Sequence, residues 1–164
     1  MTEKHFLSTK TYTHAEGLSC AFRQWRAGHT HCRFLHGYAL EVKITFARPE
    51  GLDEHNWVMD FGGLKSIKQW LQDTFDHKTV VAEDDPHLDT FRQLHANGII
   101  DIVIVEHVGC EKFAELIFDC VERVLAEELD KEKEVFVTGV EVKEHAGNSA
   151  VCLRAANLGE EADV

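Results

Sequence analysis

The chain has 164 residues and weighs 18.6 kDa, with 44% hydrophobic and 28% charged residues. That is one domain's worth of core-forming sequence, and it excludes a disordered or fibrous protein. Seventeen Lys and Arg against 29 Asp and Glu leave a net charge of −12, so a duplex or bilayer binder, which carries a basic face, is not expected.

The longest apolar run, Ile102 to Val105, is too short for a membrane span. Residues 1–10 have no apolar block behind their charge, so no secretory signal is expected. Five cysteines (Cys20, Cys32, Cys110, Cys120, Cys152) form an odd set without a CxxC spacing. They read as cytosolic thiols, which places the protein in the cytoplasm.

The segment from about Leu7 to Phe22 is rich in Thr, Tyr and small residues and predicts one long or broken strand, with Gly17 at a bulge or bend. Tyr38, Leu40, Val42, Ile44 and Phe46 alternate with Ala39, Glu41, Lys43 and Thr45, a period of two that predicts a strand over 38–46. Asp60 then caps a helix whose stripe is Leu64, Ile67, Leu71 and Phe75. It ends near Asp76-His77-Lys78, with cationic groups at the negative pole of the helix. A polar turn over 83–86, a short helix over 87–96 and a strand over 99–105 follow. Phe113, Leu116, Ile117, Cys120, Val121 and Val124 stripe a second long helix over 111–128. Two strands, 135–144 and 150–154, close the domain, and the acidic tail after Asn157 is expected to fray.

The order β-β-α-(α-β)-α-β-β predicts an α+β layer, an antiparallel sheet with helices on one face. Four such strands leave two open edges, and pairing those edges between copies predicts a homo-oligomer.

Chemistry concentrates between Arg23 and Tyr38, where three arginines, three histidines and a cysteine fall within sixteen residues. Cys32 sits beside His31 and Arg33, the positive surroundings a thiolate needs, although the usual fate of a cysteine is a buried structural thiol. His36 and Tyr38 stand two apart at the start of a strand and share a face. They offer zinc one good ligand and one poor one, and His29-x-His31 is a second candidate pair. Asp76-His77 is either an acid-oriented imidazole for proton transfer or a simple helix cap. Glu144 ends the apolar face of its strand, carrying a carboxylate that must find donors there. One use is to hold the amino group and ring N–H of a flat heterocycle by two parallel hydrogen bonds. Glu111 is a first-turn helix acid.

Taken in order, these segments resemble the 6-pyruvoyl-tetrahydropterin synthase / 6-carboxy-tetrahydropterin synthase family. The matching stretches are Cys32-Arg-Phe-Leu-His36-Gly37, Leu40-Glu-Val, Met59-Asp60-Phe61 with Leu64-Lys65, Asp76-His77-Lys78, Glu111 before its helix, and Val142-Lys143-Glu144. The likeness runs from about Leu18 to Arg154 with an insertion at about 79–110, within one domain of residues 1–157 followed by an acidic tail, 158–164.

The resemblance implies the tunnelling fold, with sheets joined into a barrel by oligomerisation, as a trimer-based hexamer, and active sites at subunit interfaces. It implies a lyase acting on dihydroneopterin triphosphate to give a 6-carboxy- or 6-pyruvoyl-tetrahydropterin, the former on the route to queuosine-type deazapurines. Carried over by position, Cys32 is the general base, Asp76 and His77 its relay, Glu144 the pterin anchor and Glu111 a pocket residue. Charge alone adds Arg23, Arg26 or Lys78 as holders of the triphosphate. The family's zinc ligands are a histidine that here becomes Phe22, then His36, then a histidine that here becomes Tyr38. Only His36 is retained, so a family-type zinc site is not expected unless His29 and His31 rebuild one. No organic cofactor is expected. Two alternatives stand beside the lyase: a metal-independent, aldolase-type pterin enzyme, and a non-catalytic oligomer that binds a pterin or purine.

Overall fold

The computed structural model describes residues 4–129 and 134–155. The first strand, β1 (Leu7–Tyr12), ends where Thr13 caps a single 3-10 turn, His14–Glu16. The Thr13 hydroxyl accepts from the Ala15 N–H at 3.2 Å, and the Glu16 carboxylate accepts from the Thr13 N–H at 2.6 Å. Gly17 follows at φ +88°, and a Cβ there would come within 2.8 Å of the Asp76 carboxylate. The chain resumes as β2 (Ser19–Phe22) in a different sheet. Of the two forms expected for this stretch the chain takes the broken one, and a capped turn ending at Gly17 parts its two strands.

Its partner breaks at the matching place. Residues 36–47 form β3 (His36–Ala39) and β4 (Glu41–Ala47), parted at Leu40, whose N–H donates to the Leu18 carbonyl at 2.9 Å. One long hairpin is thus shared between two sheets: β1 pairs with β4, and β2 with β3, both antiparallel.

Helix α1 (Lys65–Phe75) starts later than expected, because Asp60 caps a 3-10 turn, Phe61–Gly63, by accepting from the Gly62 N–H at 2.8 Å. Strand β5 (Lys78–Ala82) follows directly, then α2 (Leu88–Ala96) and β6 (Ile102–Val105). Helix α3 (Cys110–Arg123) runs on as a π-helical turn, Val124–Glu128. A final hairpin joins β7 (Phe136–His145) to β8 (Asn148–Leu153).

The fold is α+β. One sheet has the order β1-β4-β7-β8 and is antiparallel throughout. The other, β3-β2-β5-β6, pairs β5 in parallel with both β2 and β6. Each parallel pair needs a crossover, and α1 and α2 lie in the connecting segments. The second sheet, with β5 in it, was not legible from periodicity.

Helix α3 packs on β7 and β8, and α1 packs on α3 and β5. The core joins Val42, Ile44, Phe46, Val140 and Val142 of the antiparallel sheet to Ile67, Leu71, Phe75, Phe113, Ile117 and Val121 of the helices, all fully buried. Burial of this kind contributes about 1.5–3 kcal/mol per large side chain. No helix among the described residues is long and apolar enough to cross a membrane.

Candidate active site

The end of β2, the Cys32 turn, β3, the start of α3 and the β7–β8 hairpin surround one pocket of about 540 Å³. Cys32, Glu111 and Glu144, chosen from the sequence for separate reasons, all line it.

Cys32 lies in a 3-10 turn, His31–Arg33, capped by Thr30, whose hydroxyl accepts from the Cys32 N–H at 3.2 Å. The Cys32 carbonyl accepts from the Gln24 N–H at 2.8 Å, and the Gln24 side-chain amide donates to the Val108 carbonyl at 2.7 Å. Gln24 thereby ties the Cys32 turn to the start of α3. The turn is fixed while the residue stays exposed. At the helix end of this tie Gly109 has φ +119°, and a Cβ there would collide with the Gln24 amide nitrogen. The backbone conformation there favours glycine, and a Cβ would push the Gln24 amide aside.

Glu111 occupies the first turn of α3, where the helix dipole favours a carboxylate. Cys110 lines the pocket beside it; burial, then the charges of Glu144 and Glu111, push its thiol up to about 11. It is held as the thiol, in contrast to the reactive role read for Cys32.

Glu144 sits in a β-bulge, where the pairing of β7 with β8 shifts between Lys143 and His145. The bulge turns the carboxylate to the pocket rim, where its Oε1 accepts from the Asn148 side-chain amide at 3.0 Å and lies 3.4 Å from His145 Nε2. The side chain is 25% exposed, so a lone pair remains for a ligand. Tyr38 completes the wall. Burial, then the charge of Glu144, pushes its phenol up to about 12.

Asp76 and His77 do not line this pocket. Asp76 Oδ1 lies 2.6 Å from His77 Nδ1, and the imidazole projects outward with 89% of its side chain exposed. His77 adopts φ +58° as α1 gives way to β5. The pair is an oriented imidazole presented to the outside of the chain.

The three cations expected at a triphosphate are engaged elsewhere. Arg23 grips the buried Asp85 with two hydrogen bonds, Nε to Oδ2 at 2.8 Å and Nη2 to Oδ1 at 2.6 Å. Arg26 pairs with Asp84 and stacks on Trp25 at 4.3 Å. Lys78 pairs with Asp101. Each partner belongs to the 79–110 stretch.

The three positions that the resemblance assigns to zinc do converge. Phe22 and His36 are register partners across β2 and β3. Tyr38 stacks on Phe22 at 4.1 Å and 14°, and its ring lies 4.5 Å from that of His36. A phenyl ring has no lone pair to give, and a phenol is a poor zinc donor beside imidazole or thiolate. His36 Nδ1 is engaged with the Phe34 carbonyl at 2.8 Å, leaving Nε2 as the one ring nitrogen of the trio. His31 joins Cys32, Phe34 and His36 around a shallow groove, while His29 is exposed and lines neither hollow. Among the described residues no three His, Cys, Asp or Glu side chains are grouped to hold a metal ion. Of these three positions only His36 offers a strong zinc donor.

Sequence reasoning passed over Gln24, Cys110 and Asn148, and weighed Tyr38 only as a ligand. The signal available for Asn148 was its place in a Gly-containing hairpin turn four residues after Glu144. Gln24 and Cys110 carried none.

Comparison with known proteins agrees with this architecture. A family model described as 6-pyruvoyl tetrahydropterin synthase matches residues 10–155. The 6-carboxy-5,6,7,8-tetrahydropterin synthase of Rickettsia typhi is 36% identical over 58 residues, which is 35% of this chain and 41% of that protein. Among solved structures, an uncharacterized protein of Wolinella succinogenes superposes with a TM-score of 0.75 at 18% identity, covering 93% of this chain and 99% of the other. The 6-pyruvoyl tetrahydropterin synthase of Plasmodium falciparum does so with a TM-score of 0.63 at 15% identity, covering 90% and 98%. The match over nearly the whole sequence, on a fold shared with these structures, shows that the chain belongs to the 6-pyruvoyl tetrahydropterin synthase family.

Proposed function

We propose that the protein is a pterin-processing lyase that acts on dihydroneopterin triphosphate and yields 6-carboxy- or 6-pyruvoyl-tetrahydropterin. The observation that carries this reading is the meeting of Cys32 and Glu144 on one pocket from elements far apart in sequence. Glu144 holds the aminopyrimidine edge through two parallel N–H···O hydrogen bonds, a charge-assisted arrangement. The ring then lies with its side chain toward Cys32, which as thiolate removes a proton from the side-chain carbon. Proton removal by a positioned base contributes about 10²–10⁴-fold in rate. Asp76 orients His77 to exchange protons with the same side chain. Because His77 faces outward, it serves the pocket of a neighbouring copy in a cytoplasmic homo-oligomer, a trimer-based hexamer in this reading.

A phenyl and a phenol, Phe22 and Tyr38, at two of the positions the resemblance gives to zinc favour a second reading, in which the same pocket cleaves a dihydroneopterin-like side chain by a metal-independent, aldolase-type reaction. Incubation of the purified protein with dihydroneopterin triphosphate, with and without added zinc, separates the two when products are resolved by mass. A carboxy or pyruvoyl pterin is the expected result. Unchanged substrate in both conditions rejects the lyase, and conversion of dephosphorylated dihydroneopterin alone selects the aldolase.

A further inference from the structure

We infer that the Tyr38 hydroxyl is the group that reads the side-chain oxygen of the pterin, by donating a hydrogen bond to it. The inference rests on the pterin reading of the pocket. Three observations carry it.

First, the ring is held in place. It stacks on Phe22, itself fully buried and packed edge-on against Phe113 at 5.0 Å. Stacked rings add about 0.5–1.5 kcal/mol beyond their burial, so the phenol is preorganised rather than free to swing. Second, its hydroxyl has no hydrogen-bond partner among the described residues and is not sealed from the pocket it lines. Open to the pocket, it is available to a ligand that enters. Third, it stands among the residues proposed for the chemistry, since Cys32 and Glu144 line the same pocket.

A phenol is an O–H donor at neutral pH. A fixed donor aimed at an oxygen where charge gathers stabilises that charge without reorganising. Removing a proton from the neighbouring carbon builds such charge, so the same hydrogen bond that selects the hydroxylated side chain also favours its deprotonation by Cys32. No proton leaves Tyr38 in this role.

The test is equilibrium binding, followed by pterin fluorescence in buffer containing EDTA. Neopterin, which carries a hydroxylated side chain, is compared with 6-methylpterin, which has the carbon without the oxygen. The wild type is expected to prefer neopterin by about tenfold, the worth of one hydrogen bond in a partly dry site. Tyr38→Phe keeps the stack and is expected to erase that preference while leaving the affinity for 6-methylpterin within twofold. Equal losses for both ligands would assign Tyr38 to packing and overturn the inference. No loss for either would overturn it too, as would a wild-type preference that vanishes in EDTA and returns with zinc. Wild-type protein that binds neither ligand rejects the pterin reading itself, and the role of Tyr38 with it.

Discussion

Asp85→Asn is expected to unfold the protein early rather than to impair phosphate binding. The Asp85 side chain is 1% exposed, and it accepts two hydrogen bonds from Arg23 and a third from the His87 N–H at 2.8 Å. Asparagine keeps the shape but turns one acceptor into a donor facing the guanidinium, and leaves the Arg23 charge without its counterion. Removing one partner of a buried pair costs about 3–5 kcal/mol. Arg23 is 19% exposed, so water recovers part of this and about 3 kcal/mol is expected. For a chain of this size about 1 kcal/mol moves Tm by roughly 2–4 °C, which gives a fall of roughly 6–12 °C. Urea unfolding at pH 7 should show the lower midpoint with an unchanged m-value.

The pH dependence adds a signature. Burial pushes the Asp85 carboxyl up, but the Arg23 guanidinium and the His87 N–H outweigh it and hold it below the usual carboxylate range. A depressed folded-state value stabilises above the unfolded value of about 3.9, and that stability is lost as pH falls through the folded value. The gap between wild type and variant should stay constant from neutral pH to about 5 and close below about 4. A variant within about 0.5 kcal/mol of wild type at pH 7, or a gap that widens on acidification, would refute the reasoning.

Three further outcomes are expected. Glu144→Gln should weaken pterin binding about 10–100-fold by fluorescence titration, because a charged acceptor is lost, while the unfolding midpoint holds. Cys32→Ala should lower turnover about 10²–10⁴-fold with pterin affinity within twofold; retained turnover removes Cys32 as the base. Gly109→Ala should cost about 1–3 kcal/mol in urea unfolding, since it strains a left-handed position and displaces Gln24 from the Val108 carbonyl. A wild-type midpoint for that variant would show that the tie between the Cys32 turn and α3 is not needed.

The helices and β4 were legible because each carries a pattern that local physics reads. Ile67, Leu71 and Phe75 recur at helical spacing, and Val42, Ile44 and Phe46 at strand spacing, and all are fully buried. Strand β5 was not, because Thr79, Val80, Val81 and Ala82 are all buried. A strand covered on both faces shows no alternation, and its run here is too short to tell from a loop or a helix. The change of sheet at residues 13–18 and the break at Leu40 were hidden for another reason. Each half of the hairpin alternates normally, and only the second sheet, built from distant residues, dictates where the chain must leave the first.

The site divides along the same line. Cys32 and Glu144 are locally unusual, one a cysteine among cations and the other a carboxylate ending an apolar strand face, so the sequence exposed them. Arg23, Arg26 and Lys78 are local cations whose partners lie 62, 58 and 23 residues further along, beyond the reach of any pattern. Those partners change the electrostatics of the proposed reaction. With the three cations neutralised by Asp85, Asp84 and Asp101, the pocket wall carries the carboxylates of Glu111 and Glu144 and no Lys, Arg or His among its described lining residues. Such a wall suits an amino-bearing ring and a hydroxylated side chain, and it repels a triphosphate. In the lyase reading the phosphates must find their counter-charge beyond this wall, on the side where His77 of a neighbouring copy is proposed to enter; in the aldolase reading there are no phosphates to hold.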